Sequence, residues 1–372
     1  MVDSYLKRIA ELEQRCQDLE TIIETTSEHA DFIEVELEKR NELIRQVFGR
    51  YVTQEVVDEI LSAPDGQTLI GERREITVLS SDLRGFTALA ERLPAEDIIR
   101  LLNCYFGIMS EVITHWGGTI GGFLGDGIMV YFGAPITMAD HARKALLCAR
   151  AMQAAMAQVN HAMKERGYPD LEMGIGINTG EVVVGNIGSE QRAQYGAVGG
   201  PVNMAFRIES YSIGGDVLAS DATLHAAGPG ITILKSTTAF PKGSPGPITI
   251  HSVGGMAEAP GLTVTPADIP LFALKEPAPI KIWQVYGKDV ALDPSAGLIV
   301  RLGKNVAALQ FVDEAPLPAV LSNLRLELAG CGEAYAKVTA LEADQGYFVV
   351  RLTQQSPGVE RWMEEAINNR QQ

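Results

Sequence analysis

From Val2 to Val47 the core positions of a heptad can be followed without a skip, at alternating spacings of three and four residues. One seam runs through Val2, Ile9, Cys16, Ile23, Ala30, Leu37 and Ile44; the other runs through Tyr5, Leu12, Leu19, Thr26, Ile33, Arg40 and Val47. A stripe this narrow, flanked by Glu, Lys and Arg, does not suit the face of a globular helix. It fits the seam of a parallel two-stranded coiled coil, about 70 Å long at 1.5 Å per residue. Residues 1–48 are therefore expected to make the chain a homodimer. Thr26, Ala30 and Arg40 are weak seam positions, where such a coil is locally strained or relays a signal.

The remainder of the 372 residues, 46% hydrophobic overall, is long enough for one or two further domains with real cores. A net charge of −16, with no basic cluster to offset it, argues against nucleic acid and anionic lipid as partners. A phosphate-bearing ligand then needs a locally built site. No stretch reaches the roughly 18 apolar residues of a membrane helix, and the opening MVDSYLKRIAELEQR lacks the apolar centre of a secretory signal, so a cytoplasmic chain without an integral membrane segment is expected. Cys16, Cys104, Cys148 and Cys331 form no CxxC, and the six histidines show no HxxxH spacing. Any metal has to be a hard ion on carboxylates.

Residues 49–70 read as a helical connector ending in the turn Pro64-Asp65-Gly66. REITVLSSDL then reads as a buried strand, Pro94 to Trp116 as a helix, and GTIGGFLGDGIMVYFG as two strands joined at Gly125-Asp126-Gly127. Ala139 to Arg166 is a second long helix, LEMGIGINTGEVVVGNIG gives two more strands, and VNMAFRIESYS a further helix. The order β-α-β-β-α-β predicts an α+β, ferredoxin-like antiparallel sheet with helices on one face, over residues 71–288. Nine of the 18 prolines fall in 229–279, so residues 229–270 are expected to be an irregular insertion. Short strands from there to the helical stretch Gly358 to Ile367 predict a small all-β barrel over 289–372.

Asp82 ends the first strand and Asp126 lies in the turn between the second and third, which brings two carboxylates to one edge of neighbouring strands. With no histidine nearby, such a pair favours Mg²⁺ or Mn²⁺ with phosphate oxygens completing the shell. The amides of Leu83-Arg84-Gly85-Phe86-Thr87 lead into a helix and can cradle phosphates.

ITVLSSDLRGFTALAERL, GGTIGGFLGDGIMVYFGAP, GIGINTGEVVVGNIGS and GGPVNMAFRIES, in this order and spacing, resemble the class III adenylate and guanylate cyclase domain. The resemblance implies a phosphorus-oxygen lyase that converts a nucleoside triphosphate to a 3′,5′-cyclic nucleotide and pyrophosphate, in a head-to-tail dimer with active sites at the interface. It implies two Mg²⁺ or Mn²⁺ ions per site on Asp82, Asp126 and the backbone carbonyl of Leu83. Asn203 and Arg207, contributed by the other subunit, match the pair that orients the ribose and stabilises the transferring phosphoryl group. Gly85, Phe86, Thr87 and Lys281 are the implied triphosphate contacts, Lys281 as an anchoring lysine.

The departures are equally specific. Gly122 stands where adenylate cyclases carry a base-reading lysine and guanylate cyclases a glutamate, and Gly196 replaces the second base-reading side chain, leaving backbone near Ala197. Base selectivity is then expected to be weak, because shape alone discriminates by only roughly 10–200-fold. ATP is the expected substrate by prevalence in the family, with GTP or a pyrimidine triphosphate open. The second reading is a cyclase-like module that only binds nucleotide or dimerises. The C-terminal barrel is distantly similar to PilZ-like barrels, but it lacks their RxxxR and D/NxSxxG elements, so no cyclic di-GMP is carried over and its partner stays unassigned.

Overall fold

The computed structural model describes residues 2–48, 71–189, 192–241, 246–264, 269–286, 289–312, 315–342 and 345–368. The chain divides into two compact units, Met1–Thr68 and Leu69–Gln372. The connector expected over 49–70 lies outside the described residues. In the first unit, α1 (Val2–Phe48) is one helix of 47 residues. Its seam side chains Leu12, Leu19, Ile23, Ile33 and Leu37 are exposed, as are Ile22, Phe32, Val35 and Leu43 away from the seam.

The second unit opens with β1 (Glu72–Arg84), α2 (Phe86–Ala90), α3 (Ala95–His115), β2 (Thr119–Leu124), β3 (Gly127–Phe132) and α4 (His141–Glu165). There follow β4 (Glu172–Ser189), β5 (Arg192–Val198), α5 (Gly200–Ser210), β6 (Val217–Ser220), α6 (Asp221–Ala227), β7 (Ile231–Ala239) and β8 (Ile248–Met256). The sheet order is β2-β3-β1-β4-β6-β8-β7, with β5 paired to β4. Its first four strands are antiparallel neighbours, which is the ferredoxin-like core. β1 pairs with β4 along its whole length, from Glu72↔Val184 to Arg84↔Glu172.

Three expectations change here. LEMGIGINTGEVVVGNIG is one strand of 18 residues, not two. The proline-rich stretch holds the regular β7–β8 hairpin, because its prolines fall outside the two strands and leave the runs ITILKSTTA and ITIHSVGGM free to pair. The helices also cover both faces of the sheet. Leu79, Val130 and Ile175 join α3 and α4 in the main core, whereas Ile76, Val78, Tyr131 and Val182 point the other way onto Val202 and Ala205 of α5. Strand alternation makes this possible: β1 is buried on both sides from Ile76 to Ser81.

The barrel is built from β9 (Phe272–Tyr286), β11 (Ser295–Gly303), β12 (Val306–Phe311), β15 (Tyr347–Gln355), β14 (Gly332–Glu342) and β13 (Asn323–Leu328), and the β9–β13 pairing closes it. β10 (Asp289–Val290) pairs with β9, and α7 (Pro357–Asn368) packs Val359 and Met363 onto the core. The barrel therefore begins at Phe272, inside the span expected for the preceding domain. Pro277 and Pro279 hid this strand; the pairing of β9 with β11 skips register there, between Ala278↔Ile299 and Ala273↔Arg301. The interior is filled by Ile280, Ile299, Leu326 and their neighbours, leaving an apolar void of only about 20 Å³. No helix among the described residues is long and apolar enough to cross a membrane.

Candidate active site

The first cluster forms where β1 ends. Asp82 and the buried Leu83 are the two residues before the strand's last, Arg84, and Asp126 sits in the turn after β2, entered through Gly125 in the left-handed region at φ 66°. The Leu83 amide donates to Asp126 Oδ2 at 3.2 Å, so the two segments are tied. At Gly127 a Cβ would lie 2.8 Å from the Ser81 carbonyl oxygen and 3.5 Å from Asp82 Oδ1, so the bare backbone lets the turn approach β1. Burial, and then the charge of Asp82, push the Asp126 carboxyl up to about 6. A buried carboxyl raised by a neighbouring carboxylate belongs to a donor set that a divalent cation relieves. No group of three or more His, Cys, Asp or Glu side chains converges among the described residues, so the rest of such a shell has to come from backbone, water or ligand oxygens.

Arg84 follows directly and lies 3.6 Å from Asp82 Oδ2, while its ion pair with Glu209 ties it to α5. Burial pulls the Arg84 guanidinium below its usual value, opposed by the charges of Asp82 and Asp126. Gly85 takes φ 69° to start α2. Of the expected phosphate contacts, the Phe86 side chain is buried in the main core and leaves only its backbone available, whereas Thr87 is exposed.

The second cluster lies between β2 and β5. Tyr131 fills the space left by Gly121, where a Cβ would come 2.5 Å from its ring, and its hydroxyl accepts from the Ala197 amide at 3.3 Å. A Cβ on Gly196 would lie 3.9 Å from the same hydroxyl. Gly121, Gly196 and Ala197 thus gather around one tyrosine, and Gly122 lies beside Gln194 instead. Sequence reasoning missed Gln194, whose Nε2 donates to the Gly121 carbonyl at 3.1 Å and sits 3.7 Å from where a Gly122 Cβ would be. The signal was available: Gln194 is two residues before Gly196 and so shares its face of β5.

Asn203 and Arg207 lie one turn apart on α5, Asn203 exposed and Arg207 half-buried. Arg207 lines an open cleft of about 550 Å³ with Asn178, Met204 and Asp221. Among the described residues neither side chain has a hydrogen bond or ion pair, and neither is brought to the aspartates of its own chain. Lys281 is placed elsewhere. Ile280 and Ile282 point into the barrel, so Lys281 between them points out, and it pairs with Glu327 at 3.3 Å on the neighbouring strand.

Residues 70–251 match the family described as the adenylate and guanylate cyclase catalytic domain. The solved guanylyl cyclase Cya2 is 51% identical, with a TM-score of 0.51 over 52% of this chain and 99% of that one. Adenylate cyclase 1 of Rhizobium meliloti (strain 1021) is 30% identical over 71% of this chain and 40% of its own length. An uncharacterised Mycobacterium tuberculosis protein, Rv1319c, is 35% identical over 51% of this chain and 34% of its own. This chain belongs to the class III adenylate and guanylate cyclase family. It spans less than half the length of the curated relatives it matches.

Proposed function

We propose that the chain is a class III nucleotidyl cyclase that forms a 3′,5′-cyclic nucleotide and pyrophosphate from a purine nucleoside triphosphate. The observation that carries this reading is the hydrogen bond from the Leu83 amide to Asp126, which ties the Asp126 turn to the strand end that carries Asp82; among the described residues Asp82 pairs with Arg84 at 3.6 Å. When bound there by Asp82, Asp126 and the Leu83 carbonyl, two Mg²⁺ or Mn²⁺ ions supply charge for the triphosphate and acidify the ribose 3′-hydroxyl. Backbone amides from Gly85 to Thr87 hold phosphate oxygens. The 3′-oxygen bonds to the α-phosphorus, the bond to the bridging oxygen breaks, pyrophosphate leaves, and the hydroxyl proton passes to water.

Asn203 and Arg207 complete the site from a second copy, Asn203 orienting the ribose and Arg207 donating to the α-phosphoryl oxygens as charge builds. That neither side chain has a hydrogen bond or ion pair among the described residues supports this division. The exposed seam of α1 supports a coiled-coil dimer, since a lone helix of this kind gains most of its stability by burying that stripe. Gln194 is the side chain left to meet the base edge. Its carboxamide offers a donor and an acceptor and suits either purine, in keeping with one adenylate and one guanylyl cyclase among the relatives.

The test is incubation of purified protein with Mn²⁺ and each of ATP, GTP, CTP and UTP, with products identified by chromatography and mass spectrometry. A cyclic purine nucleotide is the expected product. No product from a folded dimer with any of the four would leave a nucleotide-binding or dimerisation module.

A further inference from the structure

Lys337 is 3% exposed on β14 of the barrel, yet its ammonium points at the other domain. Its Nζ donates to the Ser210 carbonyl and, at 3.1 Å, to the Ser212 carbonyl. These carbonyls end α5, where the last turn has no intrahelical donor and the helix dipole favours a cation. Among the described residues Lys337 has no ion-pair partner. A buried amine group hydrogen-bonded to carbonyls, with the charge of Asp216 acting on it from the same cavity, is poorly solvated, and an isosteric apolar residue would fill the same space without that cost. The charge is spent on capping a helix of another domain.

That helix carries Arg207 one turn before Ser210. The neighbouring barrel strand grips the other half of the site. Arg351 on β15 pairs with Glu172 at 3.0 Å, Glu172 lies opposite Arg84 in the β1–β4 ladder, and the Thr353 carbonyl reaches to 3.1 Å of the position a Gly85 Cβ would take. Between the domains remains a cavity of about 190 Å³ lined by Lys337, Lys235 and Asp216 together with Leu218, Ile250 and Leu321, so the contact is mixed in character and incompletely packed.

We infer that Lys337 is a positioning residue for the cyclase site, holding the C-terminal turn of α5 so that the barrel sets where Asn203 and Arg207 stand. The inference rests on the proposed role of α5 in turnover. The barrel acts through the cyclase domain's own helix end.

The experiment compares Lys337→Met, Lys337→Gln and Lys337→Arg in the full chain, with the exposed Lys304→Met as a control, by steady-state kinetics with Mn²⁺ and by hydrogen exchange of the amides from Ile208 to Ser212. Lys337→Met is expected to lower kcat by about 10–100-fold with KM within about twofold, as a small misplacement does. Exchange at the helix end should quicken by at least about tenfold, Lys337→Arg should recover most of both, and Lys304→Met should change neither. If Lys337→Met fails to fold, Lys337→Gln, which still donates, carries the same expectation in milder form. Unchanged exchange and unchanged kcat in the folded variants would overturn the inference, as would a loss confined to KM. Faster exchange in a protein that shows no turnover even as wild type would keep the pin and remove the cyclase reading, so the two failures are distinguishable.

Discussion

The two domains of the second unit handle their strands in opposite ways. The cyclase sheet is open, buried on both faces at β1, and gathers polar side chains where its strands end and on α5: Asp82, which pairs with Arg84, Asp126, and Asn203 and Arg207, which have no hydrogen bond or ion pair among the described residues. The barrel closes on itself through β9 and β13 and fills its interior, so that among the described residues its ring has no open edge and its interior no ligand-sized cavity. The proposed chemistry falls in the domain with unfinished polar surfaces. The closed domain contributes instead through what it presses against.

The sharpest way to break this comparison is to remove the unfinished groups. Asp126→Ala and Arg207→Ala should each lower kcat by at least about 10²–10³-fold, Arg207→Ala with little rise in KM. Mixing Asp82→Ala with Arg207→Ala chains should restore one composite site per heterodimer; no recovery in the mixture would mean that each chain builds its site alone. Gln194→Glu should come next, shifting the GTP to ATP ratio of kcat/KM by about tenfold towards GTP, because a carboxylate accepts from guanine N1–H and N2–H but offers adenine no donor. An unchanged ratio would remove Gln194 from base reading.

A smaller effect concerns Asp126 with its pKa near 6. Mn²⁺ affinity, followed by calorimetry, should be level above that pH and weaken by about tenfold per unit below it, since the ion competes with one proton. In the barrel, burial, with help from Arg84, brings Lys337 down to about 7. Between that value and the 10.5 of an unfolded lysine the unfolded chain binds more protons, so stability rises with pH in that window. The thermal midpoint should climb by up to about 5–10 °C from pH 7 to 9. Lys337→Met should flatten that slope, and an equal slope in both proteins would contradict the burial of this charge.

Much of the open domain was legible because its elements announce themselves locally. Helical spacing located α3, α4 and α5, and the Gly125-Asp126-Gly127 turn located the aspartate edge. What escaped depended on contacts distant in sequence. Pro277 and Pro279 concealed β9, and with it the fact that Lys281 faces outward from a barrel. The side of the sheet taken by α5 could not be read from its own apolar residues, since Val202 and Ala205 suit either face. Lys337 sits between Ala336 and Val338 in what reads as an ordinary strand, and only the docking of β14 on α5 gives it a role.

The ladder between β1 and β4 carries one further consequence. Gly174 and Gly176 of β4 lie beneath the end of α5, and a Cβ on Gly176 would meet the Ala205 carbonyl at 2.6 Å and the backbone of Glu209. The helix therefore rests on bare peptide at Gly176, while the space over Gly174 is taken by the side chains of Ser212 and Arg84. Any side chain placed at Gly176 would have to lift the helix off the strand, and Arg207, two residues from Glu209, would be carried away with it.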